Sequence, residues 1–158
     1  MWSTIYTLDG VLSKLLLPKF SLEKIVNSDR DNVFEIFSNF ENYQRIIPQH
    51  YPSVRVRSMR GDVSVVEEHL ILGGMELLIM AKHVSQKPIL HEMIVIGGDA
   101  KGSKIKQEFI VLENGTKVLV DVDLKFKGKM RISVMFGKNN FKQDYDNVLD
   151  DFVKLAEN

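Results

Sequence analysis

The sequence predicts an α+β fold: an antiparallel sheet of about seven strands, two short helices after the first strand, and one long C-terminal helix. Three observations predict it. From Val54 to about Phe126, strand-like segments of about 8–11 residues are separated by Gly61-Asp62, Gly73-Gly74, Gln86-Lys87-Pro88, Gly97-Gly98 and Asn114-Gly115, the rhythm of an antiparallel meander. From about Asn140 to Glu157, Phe141, Tyr145, Val148, Leu149, Phe152 and Leu155 recur at helical spacing, with Lys142, Asp146, Asp150 and Lys154 opposite. Between the first strand and the meander, "NVFEIFSNFENYQRIIP" (32–48) carries a helical apolar face that is interrupted and then resumed.

The chain has 158 residues, a length suited to one domain with its own core. Its 21 Lys and Arg balance its 21 Asp and Glu, so the strongly basic surface of a nucleic-acid binder is excluded. The absence of cysteine excludes a disulfide framework, a thiolate metal site and a cysteine nucleophile, and a cytoplasmic location is expected. No apolar run approaches the roughly 20 residues of a membrane span. The N-terminus has no basic n-region, and "LLL" at 15–17 is too short for a signal peptide's apolar stretch.

Taken in order, residues 1–19 form an N-terminal extension. Leu8, Val11, Leu12, Leu15 and Leu16 make a short helical stripe that Thr7 or Asp9 can cap. The stripe is expected to dock on its own domain or to join two copies as a homodimer through residues 1–19. Its single Lys14 weighs against a membrane-surface anchor. The domain proper spans 20–158. "FSLEKIVN" (20–27) is the first strand, and Ser28 with Asp31 forms an S-x-x-D helix start. Val33, Phe34, Ile36, Phe37 and Phe40 line the first short helix. Asn39 and Asn42 break it, Tyr43, Ile46 and Ile47 line the second, and Pro48 and Pro52 stop it.

Two hairpins fix faces. A two-residue Asn114-Gly115 turn pairs Val111 with Val118, Phe109 with Val120, Gln107 with Val122 and Ile105 with Leu124, an inner face that is apolar except for Gln107. Lys106 stands opposite Asp123 on the solvated side. A Gly73-Gly74 turn places Val66, Glu68, Leu70, Leu77, Ile79, Ala81 and His83 inside, and Glu67, His69, Ile71, Glu76, Leu78, Met80 and Lys82 outside.

The stretch "IVNSDRDNVFEIFSNFENYQRIIP", the segment "LENGTKVLVDVDLKFKG" and the aromatic terminal helix together resemble the START-like superfamily, also called SRPBCC, over about residues 20–158. Within it the chain is most similar to the polyketide cyclase/dehydrase and coenzyme Q-binding branch. The resemblance implies the helix-grip fold of the birch-pollen allergen: a curved sheet wrapped around the last helix, the two short helices closing one end, and a lipophilic cavity between them. Members bind sterols, lipids, quinones or polyketides, and a minority are enzymes.

Chemical signals are sparse. "GGDAKGSK" (97–104) has the wrong order for a phosphate loop, because Gly102 is followed by Ser103 and only then by Lys104. His50, His69, His83 and His91 make no recognised metal spacing. His83 and His91 can face each other across strands near Glu68, but two histidines without a further clear ligand are a weak metal set, and the expectation is no metal and no cofactor. Glu67-Glu68 is half of an acid/base pair without an identifiable partner, since Asp121 and Asp123 fall on the solvated face. No nucleophile–base–orienter set emerges, so no catalytic residue is assigned. Met75, Met80, Met93, Met130 and Met135 read as ordinary core.

The expected function is non-covalent binding of a lipophilic small molecule such as a lipid, quinone or polyketide. The alternatives are a cyclase/dehydrase-type enzyme using the same cavity and an interaction module with a filled core. The expected cavity residues are Glu68, Leu77, Ile79, His83, His91, Met93, Gln107, Phe109, Val120, Val122, Phe141, Tyr145, Leu149 and Phe152. Gln107 and Glu68, the principal polar side chains on their inner faces, are expected to orient a ligand, with His83 or His91 beside them.

Overall fold

The structure, a computed structural model, describes residues 18–137 and 139–158. The apolar stripe from Leu8 to Leu16, and the docking or dimer role expected of it, lies outside the described residues. The element order is β1 (Lys19–Val26), α1 (Arg30–Ser38), a 3-10 turn (Phe40–Asn42), α2 (Tyr43–Ile46), β2 (Ser53–Arg60), β3 (Val63–Leu72), β4 (Met75–Gln86), β5 (Leu90–Gly98), β6 (Lys104–Leu112), β7 (Gly115–Asp123), α3 (Gly128–Phe136) and α4 (Phe141–Glu157). One seven-stranded sheet runs β1-β7-β6-β5-β4-β3-β2. The meander β2–β7 is thus completed at its far edge by the first strand, antiparallel to β7. With the long terminal helix packed across one face, this is the helix-grip α+β fold.

The helix break falls where the asparagines suggest. Asp29, rather than Ser28, caps α1: its carboxylate accepts from the Asn32 N–H at 3.0 Å, while the Ser28 hydroxyl accepts from the Asn32 side chain. Asn39 ends the helix, its N–H donating to the Glu35 carbonyl. The chain then turns through Phe40–Asn42 into α2, and this break points Phe40 and Tyr43 inward.

The β3–β4 hairpin pairs Leu72 with Met75 around Gly73-Gly74, both of which take the left-handed φ (62° and 72°) that glycine adopts freely. All seven residues assigned to its inner face are buried. The β6–β7 hairpin departs from expectation. Its turn is Glu113-Asn114, Leu112 pairs with Gly115, and the register becomes Phe109–Val118, Gln107–Val120 and Ile105–Val122. Gly115 belongs to the strand because β1 ends against it: a Cβ there would lie 2.3 Å from the Val26 carbonyl oxygen. The shift is two residues, so every side chain keeps its face. Lys106 consequently stands opposite Asp121 rather than Asp123, and Val111, beside the turn, is exposed.

The helix α3 was not expected, since Met130, Ile132, Val134 and Met135 give no single helical stripe. Ile132 and Met135 are exposed on it and Val134 is buried. Of the five methionines read as core, only Met93 is buried; Met75 and Met130 pack at its margin.

Helix α4 is capped by the Asn140 side chain, which accepts from the Gln143 N–H. Its 17 residues span about 25 Å. Phe141, Tyr145, Val148, Leu149, Phe152 and Ala156 are buried; Leu155 only borders the core. Asp146 and Asp150, expected to face solvent, both lie 2.6 Å from Lys24 Nζ and tie the helix to β1. Asp151 meets His50 Nε2 at 2.7 Å behind α2. The core between sheet and helices is aromatic: Phe34 and Phe37 meet Phe109 edge-on at 5.0 and 6.0 Å, and Phe37 meets Phe152 at 5.1 Å.

Candidate functional site

A chain of four polar side chains crosses the inner face of the sheet, one from each of β3, β4, β5 and β6. His83 Nε2 lies 2.7 Å from Glu68 Oε1, His83 Nδ1 lies 2.9 Å from His91 Nε2, and His91 Nδ1 lies 2.9 Å from Gln107 Oε1. All four residues are at most 3% exposed. His91 and Gln107 are direct cross-strand partners, but the other links are diagonal. Glu68 pairs with Ile79 and His83 with Ser64, so Glu68 and His83 reach toward each other across the Val66–Ala81 pair. Ala81, fully buried and small, leaves the room for that reach.

Hydrogen-bond accounting fixes the protons. Burial, reinforced by the neighbouring His83 and opposed by the Gln107 bond, lowers the His91 pKa from 6.5 to about 3, so His91 is neutral near pH 7. Gln107 Oε1 only accepts, hence His91 Nδ1 carries the proton and its Nε2 is bare. His83 Nδ1–H must then donate to His91, and one proton lies between His83 Nε2 and Glu68 Oε1. Glu68 Oε2, in contrast, is buried without a hydrogen-bond partner, which costs about 1–3 kcal/mol in an apolar site.

Aromatic side chains enclose the chain. Phe40 lies over His83 with ring centroids 4.5 Å apart, and the two imidazoles lie edge to edge, their planes within 13° and their centroids 5.1 Å apart, as their hydrogen bond requires. Tyr43 packs on Tyr51 at 4.7 Å and donates its hydroxyl proton to the Phe37 carbonyl. Burial drives the phenols of Tyr43, Tyr51 and Tyr145 above their usual range, and Glu68 adds to the rise in all three. All three phenols are therefore neutral near pH 7.

All fourteen expected cavity residues are buried. The structure joins Glu68, His83, His91 and Gln107 into one hydrogen-bonded chain. Phe109 and Phe152 meet through Phe37. Phe141 stands apart, packed on Phe126 at 5.2 Å and against the β3–β4 turn at Gly73. Phe40, Tyr43 and Tyr51 were not assigned to the site; the first two were visible only as a helical face, and Tyr51 follows Pro48 in a segment without period. The histidines and Glu68 lie in a line rather than around a point, and no three His, Asp or Glu among the described residues are arranged to hold a metal ion.

The interior between the sheet and α4 is occupied by these aromatic side chains. Four clefts among the described residues open at the surface, and none of these four is lined by α4. One of about 310 Å³ lies between the end of α1, the 3-10 turn, and the β2–β3 and β4–β5 turns, with Phe40, Ser38, Ser64 and Ser85 in its wall. Phe40 therefore stands between this cleft and His83. No helix among the described residues is long and apolar enough to cross a membrane.

The neutral His91 has a pH consequence. Its folded pKa lies below its unfolded value, so between about 3 and 6.5 the unfolded chain binds a proton that the folded chain does not, and stability falls as pH drops. The stabilisation is fully present above pH 6.5 and is lost progressively toward pH 3, on the order of a few kcal/mol. Urea unfolding of the wild type and His91→Gln across this window is expected to show a shallower acid slope in the variant; equal slopes contradict a buried neutral His91.

Comparison with known proteins agrees with this architecture. The family model described as polyketide cyclase / dehydrase and lipid transport matches residues 26–153. Among solved structures, the ZhuI aromatase/cyclase from Streptomyces sp. R1128 superposes with a TM-score of 0.73 at 12% identity, covering 89% of this chain and 94% of that one. A START superfamily protein from Mycobacterium smegmatis gives 0.68 at 15% identity, covering 88% and 94%. Ginseng major latex-like protein 151 from Panax ginseng gives 0.67 at 14% identity, covering 90% and 96%. A search of curated proteins gives no match. At these identities the solved structures speak for the fold, and the family model, spanning most of the chain, establishes that this protein belongs to the polyketide cyclase/dehydrase and lipid transport family.

Proposed function

We propose that the protein binds a lipophilic small molecule, such as a lipid, quinone or polyketide, non-covalently between the inner face of the sheet and α4, in space that the aromatic side chains now filling this interior yield when the ligand enters. The observation that carries this reading is Glu68 Oε2: a buried acceptor without a partner, set in an interior that is otherwise apolar and aromatic. A polar group kept there at a cost to stability is what a site that orients a ligand's polar end requires. The fourteen buried residues named from the sequence are the proposed lining, and admission is by displacement of Phe40 from His83 at the 310 Å³ cleft.

A cyclase/dehydrase-type activity is the second reading. It is favoured by the Glu68–His83 contact at 2.7 Å, a buried acid/base pair with a proton to exchange. The two readings share one site and differ in whether the bound molecule is changed.

Native mass spectrometry of the purified protein, with extraction of any bound molecule, tests the proposal together with thermal melting against quinones, sterols, fatty acids and aromatic polyketides. A ligand at 100 times its Kd adds about 2.7 kcal/mol, or roughly 5–10 °C in Tm for a chain of this size. At least one class is expected to give such a shift. A protein that carries nothing and shifts with no class overturns the binding reading and favours an interaction module with a filled core. Recovery of a chemically altered ligand supports the enzyme.

A further inference from the structure

We infer that the ligand presents a neutral hydroxyl group to Glu68 Oε2, and that the site discriminates against carboxylate and ether heads. This rests on the binding reading above and specifies its chemistry. Glu68 Oε1 is engaged by His83 at 2.7 Å, whereas Oε2 is buried with no protein donor. The partner that Oε2 can take is a donor, because an oxygen in this position has lone pairs to offer. An ether or a carboxylate would bring lone pairs against lone pairs. A carboxylate would in addition lose its hydration without a cation to meet it. An ammonium could donate, but Oε2 is one acceptor for its three N–H donors, and the others would be buried unpaired in an apolar interior. A hydroxyl meets none of these objections. It donates to Oε2, and its own oxygen keeps lone pairs with which to accept. The aromatic walls, Phe40 over His83 and Tyr43 on Tyr51, suit a flat ring behind that hydroxyl.

Three naphthalenes of one shape and different head test this: 2-naphthol, 2-methoxynaphthalene and 2-naphthoate, each titrated into the full-length protein by calorimetry at pH 7. A hydrogen bond to a charged or charge-sharing acceptor corresponds to about 10- to 100-fold in Kd. The expected order is 2-naphthol tightest by that factor, 2-methoxynaphthalene next and 2-naphthoate weakest. In Glu68→Met, which removes the acceptor and keeps an unbranched apolar side chain, 2-naphthol and 2-methoxynaphthalene are expected to bind alike. Because the wild-type order decides by itself, a variant that fails to fold does not remove the test. Comparable affinity for all three heads in the wild type, or a 2-naphthol preference that survives Glu68→Met, overturns this inference and leaves the binding reading standing. No binding by any of the three, with no ligand found by native mass spectrometry, overturns both.

Discussion

His83→Leu is expected to destabilise the protein by about 3–5 kcal/mol, measured by urea unfolding at pH 7. The size follows from what is left behind. Glu68 is 2% exposed and its Oε2 already lacks a partner. Removing His83 strips Oε1 as well, and a carboxyl with neither oxygen satisfied remains in an aromatic interior. Typical domains have a total stability of about 5–15 kcal/mol, so this single change takes a large share of it. Glu68→Leu should cost less, about 1–3 kcal/mol, because a neutral imidazole that loses one contact still bonds His91 through Nδ1. The double variant Glu68→Leu/His83→Leu is then the informative comparison. With both members apolar, no orphaned carboxyl remains, and replacing a buried polar pair by apolar groups is often near neutral. It should therefore be more stable than His83→Leu alone. A double variant destabilised by the sum of the two single costs would mean that Glu68 and His83 do not act as a pair.

That argument needs the pair, and the pair shows how far the sequence could be read. Each member was legible separately. Alternation in β3–β4 and in β6–β7 put Glu68, His83 and Gln107 on inner faces, and a period of two survives even a misplaced turn: the β6–β7 register moved by two residues and Gln107 stayed inside. The chain they form was legible only in part: His83 and His91 were expected to face each other near Glu68, but the hydrogen-bonded line that ends on Gln107 was not. Cross-strand pairing predicts neighbours directly opposite, whereas Glu68 and His83 are four residues out of that pairing. They meet because a twisted sheet brings diagonal positions together on its inner face and because Ala81 between them is small. The enclosing side chains were hidden for a different reason. Phe40, Tyr43 and Tyr51 come from a broken helical segment and the loop after it, where position depends on how the segment docks on the sheet and α4. The unforeseen α3 belongs with these, since its apolar residues cover no single face. The terminal helix was readable almost to the residue, because a 17-residue amphipathic period over an aromatic face has one way to pack.

What α4 contributes beyond its own burial can be measured at Phe152. Its ring is 2% exposed and touches Phe37 of α1 at 5.1 Å and Tyr43 of α2 at 5.2 Å. Tyr43 in turn packs on Tyr51 and bonds the Phe37 carbonyl. Phe152 is thus where the terminal helix holds the two short helices that close this end of the sheet. Phe152→Ala should cost about 3–5 kcal/mol, the sum of lost transfer energy and an incompletely collapsed void, or roughly 6–20 °C in Tm. Phe152→Leu keeps most of the volume and should cost under about 2 kcal/mol. Lys154→Ala, on the exposed side of the same helix, should stay within about 0.5 kcal/mol and controls for helix propensity. If the closing helices depend on this contact, hydrogen exchange in Phe152→Ala should rise at residues 34–47 more than in β3 or β4, because the segment loses its anchor while the sheet keeps its ladder. Uniform acceleration across the chain would mean that Phe152 supports the whole core alike and that the closing segment is held from elsewhere.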